Sequence, residues 1–430
     1  MKNIPQSEFK RFDMAKPPKR QRLRPLIWLL SFPDVKKHKA KITKINMEGV
    51  EPPYLLLVNH NAFLDFKVVA KATFPHRTNS IVAIDGFIIG EWLLRTVGCI
   101  CKRKFTNDIT VVRHLKTVID YGDIPIVYPE ARYSLCGTNA VLPDSMGKLA
   151  KLLKVPVVTF INHGHHINSP FWNLHERNTR TESTMTCILS KEQLKAMSVE
   201  EINAVIQKEF VYDDYKWQWE NKIKVEYEKR AEGLHSVLYQ CPKCKTEYRM
   251  SSKGDKIFCT HCGKSWTMSE YGKLSGDDGI TEFDHIPDWY EWERDNVRKE
   301  VEQGTYSFSA DARVDSLPNA KGYINLGKAK LTHDMNGFYV EGEYNGEAYI
   351  IVRSVESMYS CHIEYNYLGK HGDCIDLNTL TDTYYIYPEG NDFSVTKMAL
   401  ATEELYKHKL GGAGIIPEVT ESDDKIAKAL

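Results

Sequence analysis

An α/β domain with a mostly parallel sheet, followed by a cysteine-knuckle ribbon and a small antiparallel β domain, is the fold class this 430-residue sequence predicts. Three observations predict it. Short apolar runs alternate with helix-length segments between residues 54 and 161, two C-x2-C knuckles lie within 241–262, and alternating runs beyond 305 are broken by Asn-Gly pairs. The composition, 42% hydrophobic and 27% charged, suits a globular chain of two or three domains. Its 57 basic and 57 acidic residues cancel, which excludes a polycation and an acidic solvating chain. The charge is unevenly placed: residues 1–44 carry thirteen Lys or Arg against three acids, and residues 275–430 carry fourteen against twenty-nine.

Residues 1–50 form a basic segment in which KRFDMAKPPKRQRLR runs directly into PLIWLLSF at 25–32. That apolar run is far short of the ~18 residues a bilayer span needs, so a polytopic membrane protein is excluded. Cations ahead of Leu26, Ile27, Trp28, Leu29, Leu30 and Phe32 suit an anionic membrane surface, where each contributes about 1 kcal/mol. A basic arm before one buried helical turn fits the same composition. No small-residue cleavage site follows, so no secretory signal is expected. The ten cysteines are therefore read as metal ligands or buried thiols of a reducing, cytoplasmic compartment.

Residues 51–235 carry the α/β pattern. YLLLV at 54–58, IVAI at 81–84, IPIVY at 124–128 and VPVVTFI at 155–161 predict strands, with helices over 109–121 and 145–154 between them. A polar helical arm runs from 190 to about 235, with Ser198 and Glu201 set as a capping box. Residues 236–270 hold the knuckles CPKC and CTHC, and residues 300–410 read as a β-rich domain with hairpin signals at Asn336-Gly337 and Asn345-Gly346. A closing helix is expected over 396–408, with a frayed GGAG after it. By analogy this last domain compares with a barrel of pleckstrin-homology type. Its tyrosines, Tyr339, Tyr344, Tyr349, Tyr365, Tyr367, Tyr384, Tyr385 and Tyr387, read as core and cross-strand packing.

The chemistry begins at Asn59-His60-Asn61-Ala62-Phe63-Leu64-Asp65, which follows the first strand and opens a helical pattern. With Asp65 about one turn into the helix, its carboxylate can accept from one nitrogen of His60, leaving the other as a base. The same spacing occurs around capping and core histidines. Further on come Gly98-Cys99-Ile100-Cys101-Lys102-Arg103-Lys104, then Tyr128-Pro129-Glu130-Ala131-Arg132-Tyr133-Ser134, then Val155-Pro156-Val157-Val158. These four blocks, within roughly residues 50–165, resemble the glycerolipid acyltransferase family that includes 1-acylglycerol-3-phosphate O-acyltransferase. The resemblance implies that His60 is the general base and Asp65 its orienting partner. It also implies that Glu130 lies in the acceptor site and that a cation of the second block binds acceptor phosphate.

Two departures bear on the acceptor. The arginine of the second block falls on Lys104, with Lys102 and Arg103 beside it, so which of these cations serves is open. The third block, usually F-P-E-G-T-R-S, keeps Pro129, Glu130 and Ser134 but has Ala131 for glycine, Arg132 for threonine and Tyr133 for arginine. Adjacent residues point in different directions, so the reach of Arg132 to a phosphate is open as well.

Cys241-x2-Cys244-x14-Cys259-x2-Cys262 supplies two thiolate pairs on turns, the arrangement of a tetrahedral structural zinc site. Four sulfur ligands leave no open position for catalysis. His261 is expected in solvent, and Asn162-His163-Gly164-His165-His166 is expected as a mobile loop near the acceptor rather than a second metal site. The remaining cysteines default to buried thiols.

The expected reaction moves a fatty acyl group from acyl-CoA or acyl carrier protein to a hydroxyl of 1-acylglycerol 3-phosphate or a related lysophospholipid. His60 takes the proton, amides at the start of the following helix are candidates for the oxyanion, and Glu130, Lys102, Arg103 or Arg132 meets the acceptor. A peripheral place on the cytoplasmic face of a membrane and no nucleic-acid partner are expected. The alternative is a zinc ribbon that binds nucleic acid or protein on a non-catalytic α/β scaffold.

Overall fold

Leu55, Leu56, Leu57 and Val58 are fully buried, because a strand at the centre of a sheet covered on both faces has no polar side to present. The structure, a computed structural model, describes residues 10–410; the GGAG tail and the first nine residues of the basic segment lie outside the described residues. The central strand is β2 (Leu55–Val58) of a seven-stranded sheet with β1 (Lys41–Ile45), β3 (Thr78–Ala83), β4 (Ile100–Lys102), β5 (Ile124–Val127), β6 (Val157–His163) and β7 (Glu182–Leu189). Their order is β1-β7-β6-β2-β5-β3-β4, and every pair is parallel except β6 with β7.

The helix Leu64–Thr73 buries Leu64, Val68, Val69 and Ala72, spaced three to four apart, against one face of this sheet. Ile109–Asp120 and Ser145–Leu153 bury Leu115, Val118, Leu149 and Leu153 against the other. Ser198 and Glu201 make the expected capping box. Near the N-terminus, the helix Arg24–Lys37 buries Ser31 and Val35 but leaves Leu26, Leu29, Leu30 and Phe32 exposed. No helix among the described residues is long and apolar enough to cross a membrane.

The first cysteine knuckle leads into a four-stranded antiparallel meander of β8 (Met250–Lys253), β9 (Lys256–Cys259), β10 (Ser265–Met268) and β11 (Leu274–Gly276), and the second lies at the turn from β9 to β10. A helix, Ile286–Glu302, then enters a second seven-stranded sheet, wholly antiparallel. Its strands are β12 (Ser307–Ser316), β13 (Ile324–Asp334), β14 (Gly337–Tyr344), β15 (Glu347–Ser354), β16 (His362–Glu364), β17 (Cys374–Asn378) and β18 (Thr383–Pro388), in the order β15-β14-β13-β12-β18-β17-β16. The closing helix Val395–Lys409 follows. Trp266 of the meander and Trp289 of the helix meet edge to face at 4.9 Å, within one continuous core that runs from the cysteines to the second sheet.

The two halves meet along a charged seam. Arg103, fully buried, donates to the carbonyls of Leu317, Pro318 and Thr381 and to Thr383 Oγ1. Buried carbonyls need donors, and one guanidinium supplies several in fixed directions.

Candidate active site

His60 sits just beyond β2, where the chain leaves the sheet for the helix Leu64–Thr73. Its Nδ1 lies 3.1 Å from Asp65 Oδ2, which makes Nε2 the ring nitrogen available to a substrate. The ring packs against those of Tyr128 and Tyr133, each with its centroid 4.3 Å away. The third block also grips the peptide of His60: its N–H donates to Glu130 Oε2 at 2.7 Å, and its carbonyl accepts from the N–H of Ser134 at 2.8 Å. Asn59 holds the neighbouring strand end, donating to the carbonyl of Asn162 and accepting from its N–H.

Asp65 is fully buried and answers four donors. Its Oδ2 accepts from the amides of Asn61 and Ala62 as well as His60, and its Oδ1 lies 2.6 Å from Nδ1 of His165. Burial alone would raise its carboxyl, but the hydrogen bonds from His165 and His60 hold it down at about 2. An ionised Asp65 keeps His60 in the Nδ1–H tautomer and stabilises an imidazolium. Two sequence expectations change here. The amides of Asn61 and Ala62, candidates for an oxyanion, point instead at Asp65. The histidine segment is a mobile loop neither at His165 nor at His166: both are fully buried in the helical turn His165–Asn168, and burial lowers His166 to about 4.

His60 opens onto a cavity of about 430 Å³. Phe63, Phe66, Ile81, Val82, Phe105 and Met146 form apolar wall; Lys102, Lys104, Arg132 and Tyr133 lie on it too. Glu356, Ser357, Tyr359, His362, Glu364 and Tyr406 close it from the C-terminal domain, a contribution no local motif announces. The turn into β4 depends on Gly98, at φ +92°, where a Cβ would lie 2.7 Å from the carbonyl oxygen of Thr78.

The structure distributes the remaining candidates unevenly. Lys102, on the cavity, donates to the carbonyls of Thr106 and Arg103, and burial lowers its ammonium to about 8. Arg103 serves the seam described above and is absent from the cavity wall. Glu130, also off the cavity wall, lies beneath His60, where it accepts from the His60 and Ala140 amides and from Tyr212 Oη; burial pushes it up to about 7. Arg132 lines the cavity and pairs with Glu403. Lys104 bonds to Asp376 at 3.1 Å and Asp85 at 3.4 Å, and those charges raise it against its burial.

The sulfurs of Cys241, Cys244, Cys259 and Cys262 all lie within 4.8 Å of one another, with Cys241–Cys262 and Cys244–Cys259 each at 3.8 Å. A tetrahedron of thiolates about 2.3 Å from zinc has edges of about 3.8 Å. The four residues therefore fit a metal such as zinc. His261 is exposed beside them.

No family model matches the chain, and no curated protein matches it. Among solved structures, the crystal structure of the 1-acyl-sn-glycerophosphate acyltransferase from Thermotoga maritima is similar with a TM-score of 0.31 at 16% identity, covering 44% of this chain and 81% of that one.

Proposed function

We propose that this protein transfers a fatty acyl group from acyl-CoA or acyl carrier protein to a hydroxyl of a lysophospholipid, with 1-acylglycerol 3-phosphate as the first acceptor. The observation that carries the reading is an Asp65-oriented His60 on an apolar-walled cavity that also holds cations. His60 Nε2 takes the hydroxyl proton as the oxygen attacks the thioester carbonyl. The tetrahedral adduct then collapses, the C–S bond breaks, and the imidazolium returns the proton to the leaving thiolate. The acceptor supplies the nucleophile, so no acyl-enzyme forms. In keeping with that, burial pushes the thiols of Cys99 and Cys101 up to about 12, far from reactive thiolates.

Zinc on Cys241, Cys244, Cys259 and Cys262 would be structural, since four sulfurs fill a tetrahedron. The exposed Leu26, Leu29, Leu30 and Phe32, on a helix ending in Lys36 and Lys37, support peripheral attachment to an anionic membrane on its cytoplasmic face. The nucleic-acid alternative has weaker support: Lys264 is buried against Asp278, and Lys245 lies over Trp292. Labelled oleoyl-CoA and 1-acylglycerol 3-phosphate on vesicles test the reading. Wild-type protein should form phosphatidate and His60→Ala should lose it; equal product from both removes His60 from the mechanism.

A further inference from the structure

Arg132 stands one position away from where the resemblance places an acceptor-site arginine, and the C-terminal domain holds it there. It is 5% exposed and lines the cavity. Its Nη2 donates to Glu403 Oε1 at 2.7 Å, across to the closing helix. Its Nε and Nη1 are buried without a hydrogen-bond partner among the described residues. A guanidinium stays charged, and a buried donor left unpaired is destabilising, so an anionic oxygen entering the cavity would meet an unmet demand.

Glu403 is itself fixed. It is 1% exposed, its Oε2 accepts from Arg294 Nη1 at 2.6 Å, and its Oε1 accepts from Ser360 Oγ at 2.8 Å. Arg132 and Arg294 together hold its carboxyl at about 2 against the burial that would raise it. Arg294 has further partners in Glu404 and Glu291, so it does not depend on Glu403 alone. Arg132 has no second carboxylate partner among the described residues. The arrangement fixes one end of a single guanidinium and leaves the rest of it to a ligand.

We propose that the C-terminal domain completes the acceptor site, with Glu403, braced by Arg294 and Ser360, as a positioning residue that aims Arg132 at a phosphate monoester headgroup. This rests on the acyl-transfer reading and deepens it. The second sheet contributes in the same sense: Asp376 of β17 and His362 of β16 hold Lys104 on the cavity wall. The headgroup is thus met by Arg132 and Lys104 of the first domain, which pair with Glu403 and Asp376 of the last.

The test uses the full zinc-loaded chain with labelled oleoyl-CoA and two acceptors of one acyl chain, 1-oleoylglycerol 3-phosphate and 1-oleoylglycerol. In Glu403→Gln the ratio of kcat/KM for the phosphorylated over the unphosphorylated acceptor should fall about 10-fold, through KM for that acceptor rather than kcat or KM for oleoyl-CoA. Ser360→Ala, which leaves every charge in place, should lower the same ratio about 2- to 5-fold and carries the comparison if Glu403→Gln fails to fold. An unchanged ratio, or a rise in KM for oleoyl-CoA instead, overturns the proposal. Calorimetry with glycerol 3-phosphate and inorganic phosphate separates it from the function. Wild-type binding of glycerol 3-phosphate that weakens in the variants, without any acyl transfer, sinks the function and keeps the site. Transfer with unaltered binding does the reverse, and tighter binding of inorganic phosphate than of glycerol 3-phosphate overturns the headgroup assignment.

Discussion

Asp65 receives hydrogen bonds from two imidazoles and two amides, so replacing one of its oxygens by an amide nitrogen puts a donor where a donor already points. Asp65→Asn should lower kcat by about 10²- to 10⁴-fold while leaving KM for both substrates within about 2-fold, measured by steady-state acyl transfer. At Ala131 the chain turns with φ 55°, where a Cβ costs about 1–2 kcal/mol that a glycine avoids. Ala131→Gly should therefore raise stability by about 1 kcal/mol, after the greater entropy of an unfolded glycine, read as a higher denaturant midpoint at constant m. The sequence made the His60–Asp65 pair legible because the two lie five residues apart where a strand gives way to a helix, although Asp65 is the second residue of that helix rather than one turn into it. His165, a hundred residues away, became visible only through the packing of β6 beside β2. Arg103 misled for a similar reason: a cation next to a motif looks like a ligand site until its distant carbonyl partners are known.

Elements were read most easily where turn chemistry is explicit. Asn345 and Gly346 both take positive φ between Tyr344 and Glu347, the demand of a tight hairpin. At the other pair, Asp334 faces Gly337 in register, so Met335 and Asn336 form the turn and the glycine opens β14. The helix Ile286–Glu302 carries so many charges that its buried stripe of Ile286, Trp289, Tyr290, Val297 and Val301 is easily overlooked in the sequence. That stripe matters for the metal knuckles, because Trp266 packs on Trp289. Chelation should therefore speed hydrogen exchange in β8–β11 and also in Ile286–Glu302, with β2 and β5 protected as before. Exchange that rises in the knuckles alone would show the shared core to be weaker than its packing implies.

Across the whole molecule, three cations of the first domain reach into the second: Arg103 to carbonyls, Lys104 to Asp376 and Arg132 to Glu403. Residue patterns could give a mostly parallel sheet with antiparallel ones after it, but not the seam, whose partners lie more than two hundred residues apart. Acid should act on it directly. Glu403 and Asp65 are held at about 2 in the folded chain against ordinary values of 4.5 and 3.8, so the unfolded chain binds their protons more readily. Their contribution is complete above about pH 5 and is lost as pH falls toward 2. Denaturant midpoints between pH 6 and 3 should fall, and more shallowly in Glu403→Gln, which has no such proton to bind.

A cavity with walls from residues 60–146 and from residues 356–406 also has a history in time. On a ribosome adding about 5–20 residues per second, the last stretch of wall emerges on the order of 10–40 s after the first is complete. Through that interval the nascent chain carries His60 and Asp65 without the surface that closes over them. On the acyl-transfer reading, activity should accordingly appear only as synthesis finishes, when residues 356–406 have joined the cavity wall.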